Sequence, residues 1–431
     1  MTVPPDHPIR GLSPRPFALH LALGMAALTS SKAGLASSSG GSPRSSDRSS
    51  RLWPEFPESL AAEIRRSDPG ALSAALDAAI LEAASRFAEG VRAYRAHPYR
   101  RGQEHVDVIW SDGATNLLDH RGEGIPALFV PSLINRGWVL DLQPGHGMLS
   151  WLARHGTHPY RIEWGPPGIA EQNFDIGDYV MRRLEPALQE TVRRSGRPVV
   201  LVGYCMGGLL TIAAAVSRPD LVSGLGLLAT PWDFHAEAAQ RSEAMAALYR
   251  SIRPAAALLG QLPVDLVQGF FAMPDPVVAL RKFQRFATLD PDSAEARAFV
   301  ALEDWLNDGV PVTLPVADDA LLGWYGANTP ERGTWKPGAA AIDPTSLTMP
   351  ALVAIPGADR IVPPASAAAI LDKIPHAERL DPPLGHIGMV VGRRAEAALW
   401  RPLADWIART GGGRRRGSSR SRRLPRTRRR T

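Results

Sequence analysis

Apolar residues recur at three- and four-residue spacing over 57–66 and 71–95, which predicts two amphipathic helices parted by Pro69 and Gly70. Beyond them the period shortens. Extended segments are expected near 104–110 and 114–119, about a turn at Asp112 and Gly113, and the unbroken apolar run over 125–130 reads as a buried strand. From there the two kinds of element alternate: a helix at 145–155, a strand at 160–164, a helix at 175–195, a strand at 198–202, a helix at 206–216 and a strand at 224–228. Alternation of this length predicts the α/β class, a mostly parallel sheet covered by helices on both faces. From about 236 to 345 the strand pattern stops and the chain is helix-rich, Pro-punctuated and aromatic; it resumes at 351–355, with a last helix over 395–408. The expected organisation is a disordered arm over 1–55, a core over 56–235 and 346–410, an inserted helical cap over 236–345, and a disordered Arg-rich tail over 411–431.

The chain of 431 residues holds a single cysteine, Cys205, which excludes an internal disulfide framework and a thiolate zinc cluster. Its net charge of +6 invites a nucleic-acid reading until it is divided along the chain. Ten arginines and no acid follow Gly411, and residues 1–52 hold six basic against two acidic side chains. That leaves 33 basic against 41 acidic residues over 53–410, so the body carries −8. Polyanion binding, if any, belongs to the tail. Only four lysines occur and none sits in a Gly-rich loop, so a phosphate-cradling P-loop is absent. The apolar run 16–28 is too short to span a bilayer. Export through residues 1–36 is the lesser reading of it, because His20 interrupts the run; an arm that lays its apolar side on the body is the expectation, with the protein in the cytoplasm.

The chemistry concentrates where Val199-Val200-Leu201-Val202 runs into Gly203-Tyr204-Cys205-Met206-Gly207 and then a helix. A nucleophile elbow needs this order, since small residues two before and two after a sharply turned nucleophile avoid collisions with the neighbouring strand and helix. The Met206 N–H, opening the helix, is then placed to meet an oxyanion. A thiol needs a base and an orienting acid, and both follow in order. Asp359 stands just past the strand at 351–355, and His386 lies in the Gly-flanked loop Leu384-Gly385-His386-Ile387-Gly388. Asp372 and Asp381 are nearby but lack the strand-end position. His155 and His158 have helical spacing, yet Pro159 follows and no carboxylate or thiolate adjoins them in sequence, so no metal site is expected. Tyr204, Asp233 and His235 are candidate pocket residues, the last two with a turn-capping role as the equal alternative.

Several short stretches resemble one family: Leu133-Ile134-Asn135-Arg136, Val139-Leu140-Asp141-Leu142-Gln143-Pro144, Glu163-Trp164-Gly165, Gly203-Tyr204-Cys205-Met206-Gly207-Gly208, Trp305-Leu306-Asn307-Asp308-Gly309 and Gly385-His386-Ile387-Gly388-Met389. They look like the polyhydroxyalkanoate synthases. The likeness runs over roughly 100–408; residues around 311–334 do not follow the family pattern, and the N-terminal region does not look like the long N-terminal domain of single-component synthases. The resemblance implies an α/β-hydrolase fold with a helical cap insertion, Cys205 as nucleophile, His386 as base and Asp359 as its partner. It further implies a second oxyanion N–H from Leu133 or Ile134. The implied substrates are a hydroxyacyl-CoA thioester and a growing polyester, with no separate cofactor. A second copy or a second synthase subunit is the implied partner, and the polymer granule the implied place of work. Two other readings stand beside this one, a thioester or polyester hydrolase on the same residues and a non-catalytic granule-binding protein.

Overall fold

The structure, a computed structural model, describes residues 13–26, 29, 59, 63, 66–103, 106–237, 239–272, 275 and 277–411. The expected helix at 57–66 falls almost wholly outside them, as do residues 412–431 of the Arg-rich stretch and most of residues 1–55.

Eight strands form one sheet: β1 (Asp107–Asp112), β2 (Thr115–Asp119), β3 (Ile125–Val130), β4 (Thr157–Trp164), β5 (Val199–Tyr204), β6 (Val222–Leu228), β9 (Ala351–Ala354) and β10 (Ala377–Leu380). Their order is β1-β2-β4-β3-β5-β6-β9-β10. β1 and β2 pair antiparallel, β2 lies antiparallel to β4, and every later pairing is parallel. The residue-by-residue burial explains the sequence pattern. Every residue of β5 is buried because both faces are covered, so its run is continuously apolar, whereas β1 and β10 lie at the edges and are polar and half exposed. Side chains of β5 alternate between two cores: Val199 and Leu201 face one, Val200 and Val202 the other. β10 escaped the sequence reading for that reason; an edge strand of Ala-Glu-Arg-Leu has no apolar period to detect.

Helices α2 (Met148–Arg154), α3 (Glu185–Ser195), α4 (Met206–Ser217) and α9 (Arg401–Gly411) cover the sheet. The stretch between β6 and β9 carries α5 (Ala239–Leu258), α6 (Val264–Ala272), α7 (Val278–Phe286) and α8 (Ala294–Asn307), with a two-stranded ribbon of β7 (Gln261–Leu262) and β8 (Val312–Thr313). Preceding the sheet is α1 (Pro69–Ala96), capped by the Asp68 side chain on the Ala71 N–H. Only its C-terminal part is buried, through Phe87, Gly90, Val91 and Tyr94 against α7.

Part of the segment expected to be a disordered arm has a defined seat. Residues 17–26 are helical, and the approach to them is held by the Arg15 N–H on Asn307 Oδ1 at 2.7 Å and by Arg15 Nε on Asp265 Oδ1 at 2.8 Å. Arg95 of α1 clasps the Ser13 carbonyl at 2.8 Å and lies over the Phe17 ring. The run is apolar and finds partners in the inserted helices, Leu19 against Gly269 of α6 and Gly24 against Leu280 of α7, which is why it orders. No described helix is long and apolar enough to cross a membrane.

Phe283 is the centre of the α1–α7 contact, wholly buried and edge-on to Phe87, Tyr94 and Phe299. Phe283→Ala is expected to cost about 3–5 kcal/mol, the usual range for truncating a buried aromatic. Urea unfolding should show it, and limited proteolysis should cut α1 first; an unchanged midpoint would refute this account of how α1 is held.

Candidate active site

Cys205 is the single residue between β5 and α4, with φ +56° and ψ −128°. A side chain in that backbone region carries strain of about 1–3 kcal/mol and persists only when its surroundings over-determine it. They do so here. The Cys205 N–H donates to Leu228 O of β6 at 2.9 Å, its carbonyl accepts the Gly208 N–H at 2.9 Å, and the flanking strand and helix are buried almost throughout. The two flanking glycines are steric necessities. A Cβ on Gly203 would stand 2.4 Å from Gly208 Cα, and one on Gly207 would stand 2.1 Å from the Val130 carbonyl oxygen.

The structure brings Asp359 and His386 together beside this turn. His386 Nδ1 lies 2.7 Å from Asp359 Oδ2, and the other carboxylate oxygen accepts the backbone N–H groups of Ile361 at 2.8 Å and Val362 at 2.9 Å. The two loops are stitched by Gly357 N–H to Pro382 O and Ala358 N–H to Leu384 O. Both side chains are buried. Burial disfavours a charged imidazole, but the nearby Cys205 and Asp359 outweigh it, so the His386 pKa is pushed up to about 10. Tyr204 lies beneath, its hydroxyl donating to the His386 carbonyl at 3.3 Å. By contrast Asp381 is paired with Arg379 on the surface.

Two cavities are lined by Cys205, and a third adjoins them. An apolar one of about 90 Å³ is lined by Cys205 and Met206 with Phe234, Phe270, Leu321 and Trp324 among its walls. A second, of about 80 Å³, opens on the His386 side between Ser132, Ile134, Tyr204 and Trp305. The third is a vestibule of about 410 Å³. Phe271 and Ile361 line all three and stand between them. No sequence signal singled these two out, because they come from a helix and a loop 90 residues apart whose neighbours are equally apolar.

Of the two loop residues expected at an oxyanion site, Ile134 lines both smaller cavities, whereas the Leu133 side chain turns into the core. The stretches that carry the family resemblance brace this loop from both sides. Trp164 Nε1 donates to Pro131 O at 3.0 Å and the Gly137 N–H to Glu163 Oε1 at 3.2 Å. Trp305 Nε1 donates to Arg136 O at 2.7 Å, and the Val310 N–H to Ile134 O at 2.9 Å.

Asp233 and His235 line none of these three cavities. The Asp233 carboxylate caps a turn, accepting the N–H groups of His235 and Ala236 and the Asn328 amide, and His235 Nε2 reaches Tyr325 O at 2.8 Å. Their neighbours Pro231 and Phe234 face the cavity instead, since the turn points the polar side chains toward backbone groups in need of partners. His155 stacks on Trp151 at the end of α2, while His158 in β4 meets Asp119 at 2.7 Å, a carboxylate brought from β2 that its own sequence surroundings lack. Among the described residues no group of three or more His, Cys, Asp or Glu side chains is placed to hold a metal.

A family model described as the alpha/beta hydrolase family matches residues 105–398, a span that includes Cys205, Asp359 and His386. The chain is 28% identical over 316 residues to the poly(3-hydroxyalkanoate) polymerase subunit PhaC of Haloferax mediterranei, which covers 71% of this chain and 64% of that protein. It is 27% identical over 323 residues to the subunit of the same name from Haloarcula marismortui, covering 71% and 68%. The subunit from Synechocystis sp. is 28% identical over 293 residues, covering 66% and 78%. The chain thus spans about two thirds of the length of the first two relatives.

Because folding raises the His386 pKa, the stabilisation it brings is complete below the unfolded-chain value of about 6.5 and is lost as pH climbs through about 10. The melting temperature of the wild type should therefore fall toward that of His386→Gln between pH 7 and 10.5. Parallel curves for the two proteins would show that the imidazole is not charged in the folded state.

Proposed function

This chain belongs to the alpha/beta hydrolase family, and on that premise we propose that it is an acyltransferase that draws a hydroxyacyl group from a coenzyme A thioester onto Cys205 and passes it to the hydroxyl end of a polyester. The observation that carries the reading is a lone thiol on a strained elbow beside a histidine whose far nitrogen is held by a buried carboxylate. The relatives named as poly(3-hydroxyalkanoate) polymerase subunits support the choice of substrate class.

In the first half-reaction the Cys205 sulfur, its proton already held by His386, bonds to the thioester carbonyl carbon. The Met206 N–H, first in α4, and an N–H of the 133–134 loop meet the oxygen as it becomes negative. The carbon–sulfur bond to coenzyme A then breaks, and the departing thiolate leaves with the proton from His386. In the second half the acceptor hydroxyl gives its proton to His386 as its oxygen bonds to the acyl carbon. The bond to Cys205 breaks and the proton stays on His386 beside the freed sulfur, as at the start of the cycle. Asp359 keeps the ring oriented and stabilises the imidazolium through both halves. The thioester brings the acyl group already activated, so the chemistry calls for no further cofactor.

Transfer rather than hydrolysis is supported by the lining of the 90 Å³ cavity, which is apolar apart from Cys205 and Tyr325 and so disfavours a resident water beside the acyl-cysteine. The polymer grows in the compartment that supplies coenzyme A thioesters, which makes the cytoplasm and the granule surface the place of work. The word subunit in the relatives' names supports a second chain as partner.

Purified protein given 3-hydroxybutyryl-CoA should release coenzyme A after a lag that a hydroxyacyl primer shortens, and the acyl product should be an oligomeric ester with little free acid. Cys205→Ala should abolish release, since no other thiol exists to replace it, and Cys205→Ser should retain a trace. Stoichiometric free acid from the start would make the protein a hydrolase; full activity of the alanine variant would remove Cys205 from the chemistry altogether.

A further inference from the structure

The 410 Å³ vestibule differs in kind from the two smaller cavities. It shares Phe270, Phe271, Tyr325 and Ile361 with the apolar cavity at Cys205, so it is the space through which that cavity continues outward. Its walls carry five cationic side chains, Arg15, Arg241, Arg281, Lys282 and Arg360, against only Asp275 and Glu303. This excess sits on a body whose net charge is −8 over residues 53–410.

Two of the five are already committed. Arg15 is held by Asp265 at 2.8 Å and Lys282 by the buried Glu303 at 2.8 Å. The other three are exposed and under-compensated. Arg281 and Arg360 share one carboxylate, Asp275, with Arg360 no closer to it than 3.5 Å and its side chain 82% exposed. Arg241 makes no ion pair among the described residues. They come from three separate elements, α5, α7 and the loop that directly follows Asp359, and converge on one cavity. Guanidinium groups are planar forks that take phosphate oxygens two at a time, and an acidic body would repel a polyanion unless cations were gathered where it must arrive.

We infer that this vestibule binds the phosphate-bearing nucleotide end of the acyl donor, with Arg241, Arg281 and Arg360 as its charged contacts. The inference rests on the reading of the donor as a coenzyme A thioester and adds where, and by which side chains, its phosphates are held. The acyl end lies in the apolar cavity, the thioester at Cys205 and the anionic end among the arginines. Pro14, Arg15 and His20 of the seated N-terminal segment also line it. That segment precedes the family match, so part of the site is built from chain outside the matched region.

The test compares two donors that differ only in the nucleotide, 3-hydroxybutyryl-CoA and the 3-hydroxybutyryl thioester of pantetheine, by following thiol release. Arg241→Gln, Arg281→Gln and Arg360→Gln should each raise KM for the coenzyme A ester about fivefold, as expected for loss of one exposed charged contact, and the triple variant more than thirtyfold. The kcat should hold within about twofold and the pantetheine ester should track wild type throughout. Raising salt from 50 to 200 mM should raise KM for the coenzyme A ester alone. Calorimetry with adenosine 3′,5′-bisphosphate, which has neither thiol nor acyl group, supplies a readout free of catalysis; the triple variant should bind it at least tenfold more weakly, and inorganic phosphate at the same concentration should not compete. Equal KM changes for both esters, unaltered nucleotide binding in the triple variant, or full competition by phosphate would overturn the inference. Loss of nucleotide binding in the triple variant of a protein that releases thiol from neither ester would sustain the site and overturn the catalytic reading.

Discussion

The backbone at Cys205 turns where an ordinary residue resists turning, and much of the molecule is arranged so that it must. The chain passes from a fully buried strand to a nearly fully buried helix within one residue, and the Leu228 carbonyl of β6 fixes the turning residue from the side. Relaxing the turn would pull either element out of its core, and the apolar surface at stake far exceeds the strain stored. The close approach of α4 to the Val130 carbonyl follows from the same geometry. Thus the sulfur projects at the carboxyl end of the sheet, where the loops after β3, β6, β9 and β10 also end.

A second layer of organisation supports the loop after β3. The tryptophans of the Glu163-Trp164-Gly165 and Trp305-to-Gly309 stretches are far apart in the chain, yet both donate their indole N–H to carbonyls of residues 131–136. Bulky rings set the loop's distance from the sheet, and their single polar atoms set its orientation. The stretches that made the sequence resemble a family are therefore supports of one short loop and of the sulfur and imidazole beside it. Such supports admit few substitutions because each does a packing and a hydrogen-bonding task at once.

What was legible in the sequence was what is local. The β5-to-α4 passage announces itself because strand, tight turn and helix occupy consecutive residues; Asp359 stands out because it follows a legible strand, and His386 because glycines flank it. The π turns at Val180–Leu184 and Glu396–Trp400 read simply as helix, since one extra residue in a turn leaves the apolar spacing nearly intact. For Asp233 and His235 the two readings stayed level, because a polar pair past a strand end has the same sequence appearance whether it faces a cavity or caps a turn. The vestibule was invisible for a different reason. Its arginines are scattered from residue 15 to residue 360 in a chain rich in arginine, and only the folded arrangement shows that Arg281 and Arg360 share one carboxylate while Arg241 pairs with none among the described residues.

The seat of the N-terminal segment carries a consequence for how the molecule comes into being. Arg15 and its partner Asn307 are separated by 292 positions, so the segment is synthesised long before the helix that receives it. At about 5–20 residues per second, that interval is roughly 15–60 s. During it the apolar side of residues 17–26 has no native partner, because α6, α7 and α8 are still unmade. Contacts of such separation form late. The vestibule wall therefore closes only after the sheet and the inserted helices exist, and the greasy segment waits without its native partner until then.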